Sequence, residues 1–192
     1  MRAIPALLAT LLVASAASAD SAEWAIDASH SHVGFSVSHL VVSKVNGRFK
    51  DVSGKVTLDE ANLTKSAVDV LIKVNSINTD DDKRDAHLKS PDFFDAGAFP
   101  DITFHATKIV HAGPIYKVTG DLKIKGVSKS VTLDGKLSNA IKSPWGKDVR
   151  GAAFTGKINR GDFGLTWNKK LDGGGVVVGD VVTLDIALEI NK

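Results

Sequence analysis

The chain of 192 residues contains no cysteine, so neither disulfides nor thiolate metal sites contribute to its fold or chemistry. Its stability has to come from packing. Aromatic residues make up only 6%, too few for a carbohydrate surface or a single-strand platform, both of which need exposed rings in series. Basic and acidic residues nearly cancel, giving a formal net charge of +2 with both signs interspersed. The basic stripe of a nucleic-acid binder is missing, and no nucleic-acid partner is expected. Long apolar runs are scarce too. The first, Ala6 to Ala14, is shorter than the roughly 20 residues that span a bilayer, and no second one follows.

That short run follows Arg2 and precedes Ala17-Ser18-Ala19. A positive start, an apolar middle and a small-residue cleavage pattern make an export leader. Residues 1–19 are expected to be cleaved, leaving residues 20–192 as one soluble domain large enough to bury a core without staples. A cysteine-free exported chain suits the bacterial periplasm.

What the chain has in abundance is alternation with a period of two, the pattern of strands with one dry face and one wet face. Val33, Phe35 and Val37 share a face, as do Val52, Gly54, Val56 and Leu58, and Val68, Val70, Ile72 and Val74. Ile102, Phe104 and Ala106 form the next set, then Val118, Gly120, Leu122 and Ile124, then Val131 and Leu133 beyond a turn at Gly126. Ala152, Phe154, Gly156 and Ile158 precede a last strand carrying Val182, Leu184, Ile186, Leu188 and Ile190. About eight such strands close as a sandwich or a barrel, and the barrel is the reading adopted here. At that strand number the interior is either filled by side chains or holds one slim ligand. The small inward residues Gly54, Ala106, Gly120, Ala152 and Gly156 favour an interior that is not fully plugged.

Thr79 to Ala98 breaks the alternation and reads as a helical insertion around residues 79–98. Thr79 is the expected cap of an acidic first turn, and Ser90-Pro91 the expected restart of a second helix carrying Phe93 and Phe94. Leu40 to Asn46 and Trp167 to Gly175 read as connections, the latter ending in three consecutive glycines.

Catalytic and metal readings find little support. His30 and His32 have strand spacing for a pair of ligands but lack a third, and there is no HExxH pattern, so no metal is expected. Asp27, Ser31 and His32 hold the residue types of a hydrolase triad, yet alternation sends Ser31 and His32 to opposite faces. The acids Asp80, Asp81, Asp82 and Asp85 read as a solvated helix start.

Trp24-Ala25-Ile26-Asp27 followed by His30-Ser31-His32-Val33-Gly34-Phe35 resembles the opening strand of the YceI-like proteins. Further motifs follow in order: Gly47-Arg48-Phe49, Ser76-Ile77-Asn78-Thr79, the run from Arg84 to Ser90, Phe93-Phe94-Asp95, the run from Phe99 to Phe104, the run from Gly120 to Val127, and Asp162-Phe163-Gly164. The resemblance implies an all-β, eight-stranded antiparallel lipocalin-like barrel in the periplasm whose long cavity binds a polyisoprenoid or another long-chain amphiphile. That is a non-enzymatic role as carrier, store or stress-related buffer. The inward positions it maps to ligand contact are Phe35, Val37, Phe49, Val56, Val70, Ile72, Phe104 and Leu122, with Arg48 and Arg84 as candidate contacts to an anionic headgroup. No cofactor is implied beyond the lipid itself. Transient contact with a membrane and a homodimer are both compatible with the sequence. Two rival readings are an enzyme acting on an isoprenoid at the barrel mouth, through His30, His32 or Asp85, and a structural module with a packed interior. The departure from the family pattern is greatest at Trp167 to Gly175.

Overall fold

The computed structural model describes residues 21–192, so the leader expected at residues 1–19 lies outside the described residues. Eight strands close the barrel: β1 (Ser21–His39), β3 (Val52–Asp59), β4 (Ala67–Lys73), β6 (Asp101–Ala112), β7 (Ile115–Ile124), β8 (Val127–Leu137), β10 (Asp148–Asn159) and β11 (Val178–Asn191). They neighbour one another in that order, every pairing is antiparallel, and β11 returns to β1. Three short strands stand off this circuit. β2 (Ser43–Phe49) pairs with the second half of β1, β5 (Ile77–Asn78) with β2, and β9 (Ile141–Lys142) with β10.

The length of β1 explains the arrangement. Its first residues face β3, with Trp24 opposite Val56, and its last face β2, with Phe35 opposite Gly47. The alternation holds along the barrel strands, and the β7–β8 hairpin turns where the glycine signal placed it. Lys125 (φ 47°) and Gly126 (φ 79°) form a two-residue loop whose central residues both have positive φ, the geometry that matches strand twist.

Two expectations need correction. The helical insertion is a single helix, α1 (Asp82–Lys89), and Asp81 caps it by accepting a hydrogen bond from the Arg84 amide at 2.9 Å. Ser90 ends this helix rather than starting another. Its amide and hydroxyl both donate to the His87 carbonyl, and Pro91 forces its extended conformation (ψ 169°). Residues 91–94 and 96–98 continue as turns. The second correction concerns Leu40 to Asn46, where only residues 40–42 connect and Ser43 onward is strand. The tip carries no Gly, Pro, Asn or Asp to announce a hairpin.

The end where β1 begins is stoppered by Trp24, Val56, Leu58 and Ile190, with Leu63 and Leu137 packed against them. Trp24 is 2% exposed. Its ring is flanked by the Lys192 ammonium at 4.8 Å and the Arg150 guanidinium at 5.5 Å from the centroid. The other end is covered by the segment after α1. Phe94 meets Phe49 edge-on at 5.8 Å, and Phe93 lies 5.3 Å from Trp167.

Candidate functional site

Between these two aromatic closures lies a cavity of about 260 Å³, so the interior is not packed solid. Its wall runs the length of the barrel, from Leu58, Leu63 and Ile190 to Leu165 and Val178. Phe35, Val37, Phe49, Val56, Val70, Ile72, Phe104 and Leu122, the inward positions mapped from the family resemblance, all line it. Phe93 and Phe94 line it as well, which makes the post-helical segment a wall of the lumen rather than packing outside it. Apart from its glycine, its tyrosine and two polar side chains, Ser66 and Arg160, the lining is aliphatic or phenylalanine. Ser66 is already engaged, its hydroxyl accepting from the Asp59 amide at 3.1 Å.

The inward glycines do not supply the empty space. A Cβ on Gly54 would lie 2.7 Å from Cδ1 of Ile26, one on Gly120 2.5 Å from the Phe104 ring, and one on Gly156 2.6 Å from Leu133. Each glycine is covered by a neighbour's large side chain lying across the strand. The glycines let these side chains lie flat against the wall.

Arg160 is the site residue that sequence reasoning missed. It is 5% exposed, and among the described residues it is the one charged side chain lining the cavity. Nε donates to the Gly179 carbonyl at 2.8 Å, Nη1 to those of Leu165 and Trp167, and Nη2 to the Val178 carbonyl and Asp180 Oδ1. These contacts account for all five guanidinium donors. Arg160 therefore straps the Leu165–Asp180 segment over the barrel end and offers the lumen no free donor. Its signal was present in the sequence, because the inward series Ala152, Phe154, Gly156 and Ile158 continues by parity onto Arg160.

Neither of the two arginines assigned to a headgroup lines the cavity. Arg48 is exposed on β2, next to inward Phe49 and opposite Asn78. Arg84 is held by Thr79, donating from Nε to the hydroxyl at 2.8 Å and from Nη2 to the carbonyl at 2.6 Å. Asp85 accepts from the same threonine, from its amide at 2.9 Å and from its hydroxyl. Arg84 and Asp85 thus act together on Thr79 without pairing with each other, and they fix α1 to the chain end of β5.

On the outer face a bulge in β1 takes in His30 and ends at His32. Asp27 pairs with Glu189 and His32 with Ala187, so four residues of β1 stand against one of β11. Ser31 closes the gap, its hydroxyl accepting from the Glu189 amide at 3.1 Å. His30 Nδ1 lies 3.2 Å from Asp27 and 3.7 Å from Glu189. Hydrogen bonds from Ser29 and then His30 hold the Asp27 carboxyl down at about 2, and the bond to Asp27 raises the His30 pKa above its ordinary value. The residues of the paper triad are thereby placed apart in function: Asp27 serves His30, and Ser31 serves the backbone of β11.

An eight-stranded antiparallel barrel with a hydrocarbon-lined lumen, closed by aromatic rings at both ends, defines a lipocalin-like barrel built around a cavity. This chain belongs to the YceI-like family, whose domain model matches residues 24–190. It is 40% identical to the Salmonella newport Protein YceI over 161 residues, covering 83% of this chain and 84% of that protein. Among solved structures it is similar to Burkholderia cenocepacia BcnA (TM-score 0.75, 25% identity, 85% of this chain and 98% of that one). It shares its fold with a polyisoprenoid binding domain from Saccharophagus degradans (TM-score 0.61, 18% identity, 87% and 97% covered).

Proposed function

We propose that this protein is a non-enzymatic periplasmic carrier or buffer that holds a long-chain isoprenoid or similar amphiphile tail-first in its barrel. The observation that carries the reading is the lumen itself, whose wall offers hydrocarbon along the whole barrel while its one guanidinium is fully engaged elsewhere. Such a wall recognises a tail and not a polar group. At ~0.8 kcal/mol per buried methylene, ten such groups supply roughly 8 kcal/mol, which corresponds to micromolar binding before association costs are deducted. The polyisoprenoid-binding fold neighbour and the leader pattern in residues 1–19 support the ligand class and the compartment.

Phe35, Val37, Phe49, Val56, Val70, Ile72, Phe104 and Leu122 are the proposed tail contacts. Arg48, exposed beside Phe49, is the better placed of the two arginines to meet an anionic headgroup outside the barrel. Protein purified from the periplasm is expected to release a prenyl or fatty lipid on organic extraction, and native mass spectrometry should show the corresponding added mass. Phe104→Trp should lower uptake of a fluorescent prenyl analogue. If preparations carry no lipid and Phe104→Trp takes up the analogue as the parent does, the reading is wrong.

A further inference from the structure

The β1–β2 hairpin ends in three consecutive apolar residues, Leu40, Val41 and Val42, which are 37%, 70% and 85% exposed. Leu40 (φ 52°) and Val41 (φ 67°) both lie in the left-handed region, a conformation that a β-branched side chain strongly disfavours and that Gly or Asn adopts readily. A turn whose backbone suits Gly or Asn instead displays large hydrocarbon groups to solvent. Such a departure from local turn chemistry marks a functional position more often than a packing one.

The surroundings specify what the tip would meet. The Leu40 amide donates to the Val177 carbonyl and the Val177 amide to the Lys169 carbonyl, while Lys170 bridges to Val176. Gly175 lies against Val41. The tip thus rests on a loop that presents Lys169 and Lys170 to solvent, and exposed Lys44 follows it on β2. The same loop carries one exposed acid, Asp172, and Asp180 beyond it is paired with Arg160. The tip also continues directly from the lumen wall. Val37 and Val178 both line the cavity, and Val178 pairs with His39, the residue just before the tip.

We propose that Leu40–Val41–Val42 is a membrane-docking tip that inserts into an anionic bilayer while Lys44, Lys169 and Lys170 engage its headgroups. Apolar insertion beside clustered cations is the chemistry that holds a protein at an anionic lipid surface. The inference rests on the lipid-binding reading, since a lipid cargo is what gives this end of the barrel a reason to meet a bilayer.

Flotation of the purified protein with vesicles of phosphatidylglycerol and phosphatidylethanolamine, against vesicles of phosphatidylcholine alone, tests it. Binding is expected to the anionic vesicles and to weaken with salt. Replacing two inserted valine side chains should cost about tenfold or more in vesicle affinity, so Val41→Asn with Val42→Ser should release the protein while easing the turn. Lys169→Glu with Lys170→Glu should abolish the preference for anionic lipid. Uptake of a prenyl analogue delivered from ethanol should be unchanged in both variants, whereas transfer from vesicles should slow. Equal flotation of parent and valine variant overturns the docking tip, even if uptake from ethanol persists in both. It is likewise overturned if the parent ignores vesicles and sedimentation shows a dimer that the valine variant loses, because the tip then serves a second copy. Loss of uptake from ethanol in the parent would instead strike at the lipid-binding reading.

Discussion

Gly120 and Gly156 occupy the same kind of position on the lumen wall, yet the atoms above them differ in how far they can yield. A Cβ at Gly120 would meet the His105 carbonyl oxygen at 2.5 Å as well as the Phe104 ring, whereas at Gly156 the close contact is the Leu133 side-chain end at 2.6 Å. Backbone cannot move aside, and a leucine tip can. Gly120→Ala should therefore destabilise by about 1–3 kcal/mol through overpacking, and Gly156→Ala by less. Denaturant unfolding of the two variants measures this directly, and equal losses would mean that the wall at Gly120 yields as easily as a side chain. Gly156→Ala should also turn Leu133 toward the lumen and weaken prenyl uptake.

At the scale of the element, the β1 bulge is the clearest electrostatic feature of the barrel exterior. The hydrogen bond to Asp27 is the largest cause of the raised His30 pKa, followed by attraction to Asp27 and Glu189, and His105 is raised in the same way by Asp69 on the neighbouring strand. A histidine raised above its unfolded value of 6.5 contributes stability that is fully present below that value and is lost as pH rises through the folded pKa. Thermal midpoints should therefore fall as pH rises above 6.5 through the raised folded values, and His30→Gln with His105→Gln should flatten that fall. A double variant with the parent's slope would sink the idea. The opposite edge belongs to Asp27, whose contribution is fully present above 3.8 and is lost progressively as pH falls from there through about 2.

These elements also show where the sequence was readable. Alternation assigned the inward faces of the barrel strands because one face of each is dry, and seven of the eight residues mapped to the lumen wall follow from that; Phe49, on β2, came from the family motif Gly47-Arg48-Phe49. It could not reveal that Ser31 would replace a missing rung at the bulge, since the substitution depends on Glu189 far along the chain. Nor did it show β2, whose turn lacks turn residues, or the end of α1 at Ser90, where a serine before proline reads equally as the start of a helix. Parity announced that Arg160 points inward, but not what it straps. Four of its acceptors are backbone carbonyls, which no residue type announces.

Over the whole molecule the barrel is not closed with equal strength around its circumference. β11 pairs with β10 from Val181 to Asn191 on one side and with β1 along most of its length on the other. Between β8 and β10 the ladder spans only Asp134–Leu137 opposite Ala152–Thr155. Beyond it Val127–Leu133 stays with β7 and Gly156–Asn159 stays with β11, so each of these segments keeps a single partner. Local opening begins where strands have few backbone partners. In native-state hydrogen exchange, peptides covering Val127–Leu133 should therefore exchange faster than peptides covering Val182–Ile190. Comparable protection in the two regions would mean that side-chain packing across the gap, Leu133 over Gly156 in particular, closes the barrel as firmly as a hydrogen-bonded ladder does.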